Sequence, residues 1–195
     1  MNGKLVQVTE KQKEGNTKTE KKRRLFIMKK IMATISALLI CVSVLTGCGK
    51  ADPVQDDLLN YINNQMPAIV ELENKVNTEF EASNAKGVDD ATFAAKLKDV
   101  ILPASNELVT KTKAILPATE EVRKVHNQFL ALVTDQHETF TLLLQMSEAV
   151  KKSDAALADT LNEKIKTISN KPNNYSTDLE ALKKAHGVEN EKKDK

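Results

Sequence analysis

The chain contains no tryptophan and only two cysteines and six glycines, and these shortages exclude several classes of protein. Because no thiol follows Cys48, the downstream segment cannot hold a disulfide framework or a cysteine-based metal site. Glycine is scarce in that segment as well, where it occurs at Gly49, Gly87 and Gly187. A segment poor in glycine and aromatic residues, and rich in alanine, leucine, lysine and glutamate, is typical of helical proteins.

An excess of positive charge is also absent from most of the chain. Residues 1–47 hold 10 Lys or Arg and 3 Asp or Glu, whereas residues 48–195 hold 19 and 24, a balance of −5. The net charge of +2 therefore averages a basic piece and an acidic piece. An acidic surface does not favour nucleic acid, so we expect no such partner. The acidic piece, about 148 residues long, is large enough for one domain with a core.

One long apolar run is present, at residues 31–45, directly after Lys29 and Lys30. Its fifteen residues carry no charge, and a membrane-spanning helix needs about 20. Basic residues, a short apolar stretch and then small residues are typical of a secretory signal peptide. We therefore predict a signal peptide at residues 28–47.

The run ends in Leu45-Thr46-Gly47-Cys48, which resembles the lipobox of bacterial lipoproteins. In that family, signal peptidase II recognises the positions matched by Leu45, Thr46 and Gly47 and cleaves before the cysteine, whose thiol carries a diacylglyceryl lipid. The resemblance implies that Cys48 is lipidated, with no cofactor beyond this covalent lipid. It also implies a protein held on the extracytoplasmic face of the cell membrane. An ordinary signal peptide with an incidental cysteine is the alternative.

The hydrophilic residues 1–27 do not belong to a usual signal peptide. Codons for residues 22–24 can read AAA AGG AGG, which contains a ribosome-binding sequence at the usual distance from Met28. We expect translation to start at Met28, so that residues 1–27 are not part of the protein. An unusually long basic region ahead of the apolar run is the alternative.

Beyond a tether at residues 48–51, apolar residues recur at spacings of three and four, which predicts amphipathic helices. Helix N-caps are expected at Asp52, at Asp89 or Asp90, and at Thr119, with another at Ser153-Asp154. The predicted inward-facing residues are Leu58, Ile62, Met66, Ile69, Val76 and Phe80; then Phe93, Leu97, Val100, Ile101, Leu102, Leu108, Ile115 and Leu116; then Val122, Val125, Phe129, Leu132, Val133, Phe140, Leu143, Leu144, Met146 and Val150; and finally Leu157, Leu161, Ile165, Ile168, Tyr175, Leu179 and Leu182.

Prolines interrupt these helices at Pro67, Pro103 and Pro172, and we expect a kink or a break at each. Short connections between long amphipathic helices favour antiparallel neighbours. We therefore predict an all-α domain over residues 52–187, an up-down antiparallel bundle of four long, proline-kinked helices. A three-helix bundle is the alternative if the second helix packs irregularly. Residues 188–195 are expected to form a disordered tail.

Three histidines are the candidate metal ligands. His126 and His137 fall on one face of the predicted third helix, but about 16 Å apart along its axis, so they cannot share a metal. His186 and Glu189 form an HxxE motif of the kind found in imelysin-like proteins linked to iron uptake. Gly187 breaks helical geometry within it, and we expect no metal at any of these positions. Gln136 is predicted to point inward, where a single polar residue commonly determines helix register.

No nucleophile–base pair, glycine-rich phosphate loop or carboxylate pair stands out, so we do not expect an enzyme. The segment after Cys48 resembles the small helical lipoproteins of Gram-positive bacteria, some of which are described as cell-wall-binding. That resemblance implies a non-enzymatic bundle that binds an envelope protein or a cell-wall component. A carrier or sensor that holds a small ligand, haem or metal in the bundle core is the alternative.

Overall fold

The computed structural model describes residues 42–44 and 51–190. The described part is helical, with one short two-stranded ribbon, and the all-α prediction is confirmed. The helices are α1 (Pro53–Asn60), α2 (Pro67–Ser83), α3 (Asp90–Lys96), α4 (Leu102–Lys113), α5 (Glu120–Lys151), α6 (Ala155–Ser169) and α7 (Tyr175–Ala185), and the strands are β1 (Val42–Val44) and β2 (Val188–Asn190). None of these helices is long and apolar enough to cross a membrane.

Two of the predicted kinks are π turns that keep the helix going past a proline. Tyr61–Gln65 joins α1 to α2 and Leu97–Ile101 joins α3 to α4. In each, the residue just before the proline donates its N–H to the first carbonyl of the turn, five residues back. A proline ring clashes with the carbonyl four residues before it, and a wider turn relieves that conflict. Pro67 and Pro103 therefore lie within continuous helical segments, residues 53–83 and 90–113.

Contacts between segments give the helix directions. Residue numbers rise together between the first segment and α5, and they run in opposite senses between α4 and α5 and between α5 and the α6–α7 segment. The contacts are Tyr61–His126 and Phe80–Phe140, then Ser105–His137 and Thr112–His126, then Asp135–Lys171 and Gln128–Asp178. The α1–α2 segment is thus parallel to α5, whereas α4 and the last segment are antiparallel to it.

The helix caps follow the predicted residues with one exception. Asp52, Asp89 and Asp154 each accept a backbone N–H in the first turn of α1, α3 and α6. Thr119 occupies the N-cap position of α5, but its hydroxyl donates to Asp57 instead of capping the helix. The break at Pro172 is confirmed, because α6 ends at Ser169 and α7 begins at Tyr175.

The prediction of inward-facing residues is wrong at two positions. The side chain of Leu116 is 82% exposed and that of Leu157 is 45% exposed. Leu116 follows the end of α4 at Lys113, so the helical period no longer determines its direction. Leu157 lies in the first turn of α6, at the edge of the bundle.

The expected disordered tail is also wrong for its first residues. β2 pairs antiparallel with β1, with Val188 opposite Val44, and the Val188 side chain is buried. β1 falls inside the predicted signal peptide, so a sequence pattern for the tail alone could not reveal the pairing. Residues 191–195 lie outside the described residues, as do residues 1–27, Cys48 and the rest of the predicted signal peptide.

Candidate functional site

A carboxyl group lies inside the bundle without a hydrogen-bond partner. Glu73, in α2, is 1% exposed, and neither of its oxygens is hydrogen-bonded among the described residues. Its place in the helical period explains this burial, because it follows Ile69 by four residues and precedes Val76 by three, and both are buried. Burial raises the pKa of Glu73 to about 8, so the carboxyl is mainly protonated at neutral pH.

A buried tyrosine, Tyr175, lies near this carboxyl, and a second buried tyrosine, Tyr61, lies beside Tyr175. Burial raises the pKa of Tyr61 well above its ordinary value, and the neighbouring Tyr175 acts in the same direction. Burial also raises the pKa of Tyr175 to about 12, and the nearby Glu73 carboxylate acts in the same direction. The ring of Phe129 lies 5.0 Å from that of Tyr175, between centroids. A carboxyl group, two phenols and an aromatic face are thus gathered in the core.

His126 extends the cluster toward α4. Its Nδ1 lies 3.4 Å from the Tyr61 hydroxyl, and the two rings meet edge to face at 5.7 Å. The imidazole also hydrogen-bonds to the backbone carbonyl of Thr112. Burial lowers the pKa of His126, and the bond to Thr112 only partly opposes that effect. The imidazole is therefore neutral at pH 7.

We call Glu73, Tyr61, Tyr175 and His126 the core cluster; its members come from the first segment, from α7 and from α5. Its two phenols stand where the backbone is irregular. Tyr61 opens the first π turn and Tyr175 is the first residue of α7 after the break. A π turn inside an α-helix frequently marks a functional site. The cluster can offer hydrogen bonds from a protonated carboxyl group, two phenols and an imidazole to a small polar group.

Gln136 points inward as predicted and is 4% exposed. Its Nε2 donates to Oδ1 of Asn77 at 2.8 Å, whereas its Oε1 has no partner among the described residues. The pair joins α2 to α5, which a register-setting residue requires. That role remains a prediction.

The structure brings together Ser105 and His137, a pair that the sequence did not suggest. Nδ1 of His137 lies 2.8 Å from Oγ of Ser105. Ser105 is 1% exposed, and its hydroxyl donates to the carbonyl of Leu102. A serine nucleophile must reach its substrate and give its proton to the base, and this hydroxyl does neither.

His186 contacts Asp52 rather than Glu189, and the distance from Nδ1 to Oδ2 is 2.7 Å. Glu189 belongs to β2, so the HxxE pattern is divided between a helix end and a strand. Among residues 51–190, no three His, Cys, Asp or Glu side chains are grouped as a metal ion would require.

The lipobox residues Leu45, Thr46, Gly47 and Cys48 lie outside the described residues, so the predicted lipidation site has no structural counterpart here. Sequence reasoning missed Glu73, although a signal existed. A glutamate occupies a position of the α2 stripe where every third or fourth residue is otherwise apolar.

Comparisons with protein-family models, with curated proteins and with solved structures found nothing that matches this chain. The function must therefore be argued from the residues themselves.

Proposed function

We propose that this chain is an exported lipoprotein, anchored in the cell membrane through Cys48, whose helical bundle binds an envelope protein or a cell-wall component. The observation that carries the proposal is the position of the lipobox relative to the fold. α1 begins at Pro53 with Asp52 as its N-cap, so the folded domain starts four residues after Cys48. Four residues reach at most about 14 Å, which would hold the bundle close to the membrane.

The lipid supports stable attachment on physical grounds. A single acyl chain gives only marginal, reversible binding, whereas two chains hold a protein at the membrane. A binding role rather than catalysis agrees with the chemistry of the described residues, where the Ser105–His137 pair is closed to a substrate. The proposal therefore concerns a tethered binding protein.

The two cysteines provide a matched test of anchoring. Cys48→Ala should abolish incorporation of labelled fatty acid and release the protein from the membrane fraction. Cys41→Ala, seven residues earlier in the same apolar run, should change neither result. Labelling that persists in Cys48→Ala cells would refute the lipoprotein proposal.

The partner can be sought by photo-crosslinking in living cells. A crosslinker placed at exposed positions of α6, such as Asp159 or Lys166, should capture an envelope component beside the bundle. The same crosslinker at buried Ile165 is the control and should capture nothing. If exposed positions on every helix fail to capture a partner, binding at the envelope is contradicted.

Glu73 favours a second candidate function, a carrier or sensor that binds a small ligand in the bundle core. A buried polar group without a partner costs about 1–3 kcal/mol, and more when it is charged. A ligand that hydrogen-bonds to Glu73 would remove this cost. Native mass spectrometry of the purified full chain should then show a bound mass that is lost in Glu73→Gln and retained in Glu79→Gln. Glu79 is the control because it lies on the same helix, where its side chain is partly exposed and pairs with Lys96. An unliganded wild-type protein from cells would contradict this second function.

A further inference from the structure

Two large apolar side chains are exposed in the described part of the chain, Leu116 and Leu157. Leu116 lies in the loop just before α5 begins. Leu157 lies in the first turn of α6, shortly after α5 ends at Lys151. α5 contains 32 residues, so it is about 48 Å long. The two leucines are therefore at opposite ends of the bundle.

The loop that carries Leu116 is held firmly on both sides. The Asp57 carboxylate accepts the N–H groups of Ala118 and Thr119 at 3.1 and 2.8 Å, and the Thr119 hydroxyl at 2.7 Å. Arg123 donates to the carbonyls of Pro117 and Ala118 at 3.2 and 2.9 Å. These bonds hold residues 117–119 against α1 and α5.

The neighbours of Leu116 in the chain face inward. Pro117 is buried, and Ile115 packs against the core. Leu116 itself is 82% exposed. Its exposure therefore results from a fixed loop conformation, in which one large apolar side chain projects from the bundle.

This loop lies at the end where the proposed tether enters. Asp57 is five residues after Asp52, which corresponds to about 7.5 Å along α1. Cys48 precedes Asp52 by four residues, a reach of at most about 14 Å. A bilayer that holds the lipid of Cys48 is therefore within reach of the loop, and Leu157 is on the far side of the bundle.

We propose that the loop at residues 114–119 contacts the lipid bilayer and inserts the Leu116 side chain among the acyl chains. The inference rests on the proposed lipid anchoring, which would bring the loop close to the bilayer. The inserted loop would then orient the bundle on the membrane. Lys111 and Lys113 flank the loop on one side, and Glu120 and Glu121 flank it on the other. Because both signs are present, the apolar contact should not depend on anionic lipid.

The test uses the full chain, processed in cells, with Leu116→Cys or Leu157→Cys carrying a bimane fluorophore. The protein is reconstituted in phosphatidylcholine vesicles with a nitroxide quencher on the acyl chains. Quenching at position 116 should exceed quenching at position 157 several-fold. Both sites are exposed, so neither substitution should change the thermal unfolding midpoint, which is measured as a control for folding.

A thiol count separates failure of this inference from failure of the anchoring. Processed, lipidated Leu116→Cys protein has one free thiol, because Cys41 is removed and Cys48 is acylated. Three free thiols would refute the anchoring and this inference together. One free thiol with equal quenching at the two positions would overturn only the bilayer contact. Shielding of position 116 in cells but not in vesicles would also overturn it, and would assign the loop to a protein partner.

Discussion

Asp52 and His186 are 134 residues apart in the chain, yet Oδ2 of Asp52 lies 2.7 Å from Nδ1 of His186. The same aspartate caps α1 through its Oδ1, and Gln55 donates to the His186 carbonyl at 2.6 Å. The end of α7 is thereby fastened to the beginning of α1. This contact holds β2 in place, because β2 begins only two residues after His186.

His186→Ala should loosen the C-terminal end without unfolding the bundle. Amide hydrogen exchange at residues 187–190 should accelerate roughly tenfold, the effect of losing one hydrogen bond, and exchange within α5 should not change. The hydrogen bond from His186 is the main cause that holds the pKa of Asp52 below its ordinary value. The stability that this contact provides is therefore fully present above the ordinary pKa of an aspartate. It is lost as the pH falls through the lower pKa that Asp52 has in the folded protein.

The aspartate that caps α3 provides the control for this experiment. Asp89→Ala removes the bond to the Thr92 N–H at the start of α3, which follows the end of α2 rather than the beginning of α1. It should leave exchange at residues 187–190 unchanged. Equal acceleration in both variants would mean that general destabilisation, and not the His186 contact, controls that end.

Pairing of β1 with β2 leads to a prediction about processing. If cleavage occurs before Cys48, β1 is removed and the backbone groups of β2 lose their partners. The processed protein should then exchange the amides of Val188–Asn190 faster than a chain with an uncleavable signal, obtained by Gly47→Leu. Residues Ile165 and Leu161, buried in α6, should exchange equally in both forms. Identical exchange at β2 would show that this pairing does not order it.

Asp57 should stabilise the bundle by connecting α1 to the loop before α5. Asp57→Asn places an amide group where the carboxylate accepts three hydrogen bonds, so at least one donor loses its acceptor. The free energy of unfolding in urea should fall by about 1–3 kcal/mol. Asp56→Asn, at the neighbouring exposed position, should change it little. Equal losses would show that the contact with the loop contributes nothing.

The helical period predicted most of the core, because burial along α1, α2 and α5 repeats every three or four residues. Phe80, Phe129 and Ile165 are buried as that period requires. The prediction failed where the period ends, at Leu116, and where a partner distant in sequence orders the backbone, at Val188. The spacing of apolar residues predicts neither the direction of a loop side chain nor the pairing of distant strands.

The core cluster could be predicted only in part. His126 was expected on the same helix face as His137 and is buried, but its contact with Tyr61 depends on how α1 and α5 are aligned. The first π turn shifts the register at Tyr61. It could not be inferred from Pro67 alone, which predicts a kink without its form. Glu73 could have been predicted, because a glutamate in an otherwise apolar stripe indicates a buried carboxyl group.

Glu73 should make the protein less stable as the pH rises. Its pKa is about 8 in the folded protein, against an ordinary value of 4.5 that applies to the unfolded chain. Between these two pH values the Glu73 carboxyl is therefore protonated in the folded state and ionised in the unfolded state. The contribution of Glu73 to the free energy of unfolding is therefore most favourable below about pH 4.5 and declines as the pH rises to about 8. Glu73→Gln, which stays neutral, should raise the free energy of unfolding by about 2–4 kcal/mol at pH 9 and change it little at pH 4.5.

Urea unfolding at a series of pH values, with the wild type and each variant compared, tests this directly. The lowered pKa values of His126 and His137 act in the opposite sense, because these side chains bind protons more readily in the unfolded state. Both histidines remain in Glu73→Gln, so the difference between the two proteins isolates Glu73. Glu79→Gln, a change at a partly exposed position on the same helix, should follow the shape of the wild-type curve. A Glu73→Gln curve parallel to that of the wild type from pH 4.5 to pH 9 would mean that Glu73 is already ionised in the folded protein and has a partner in solution.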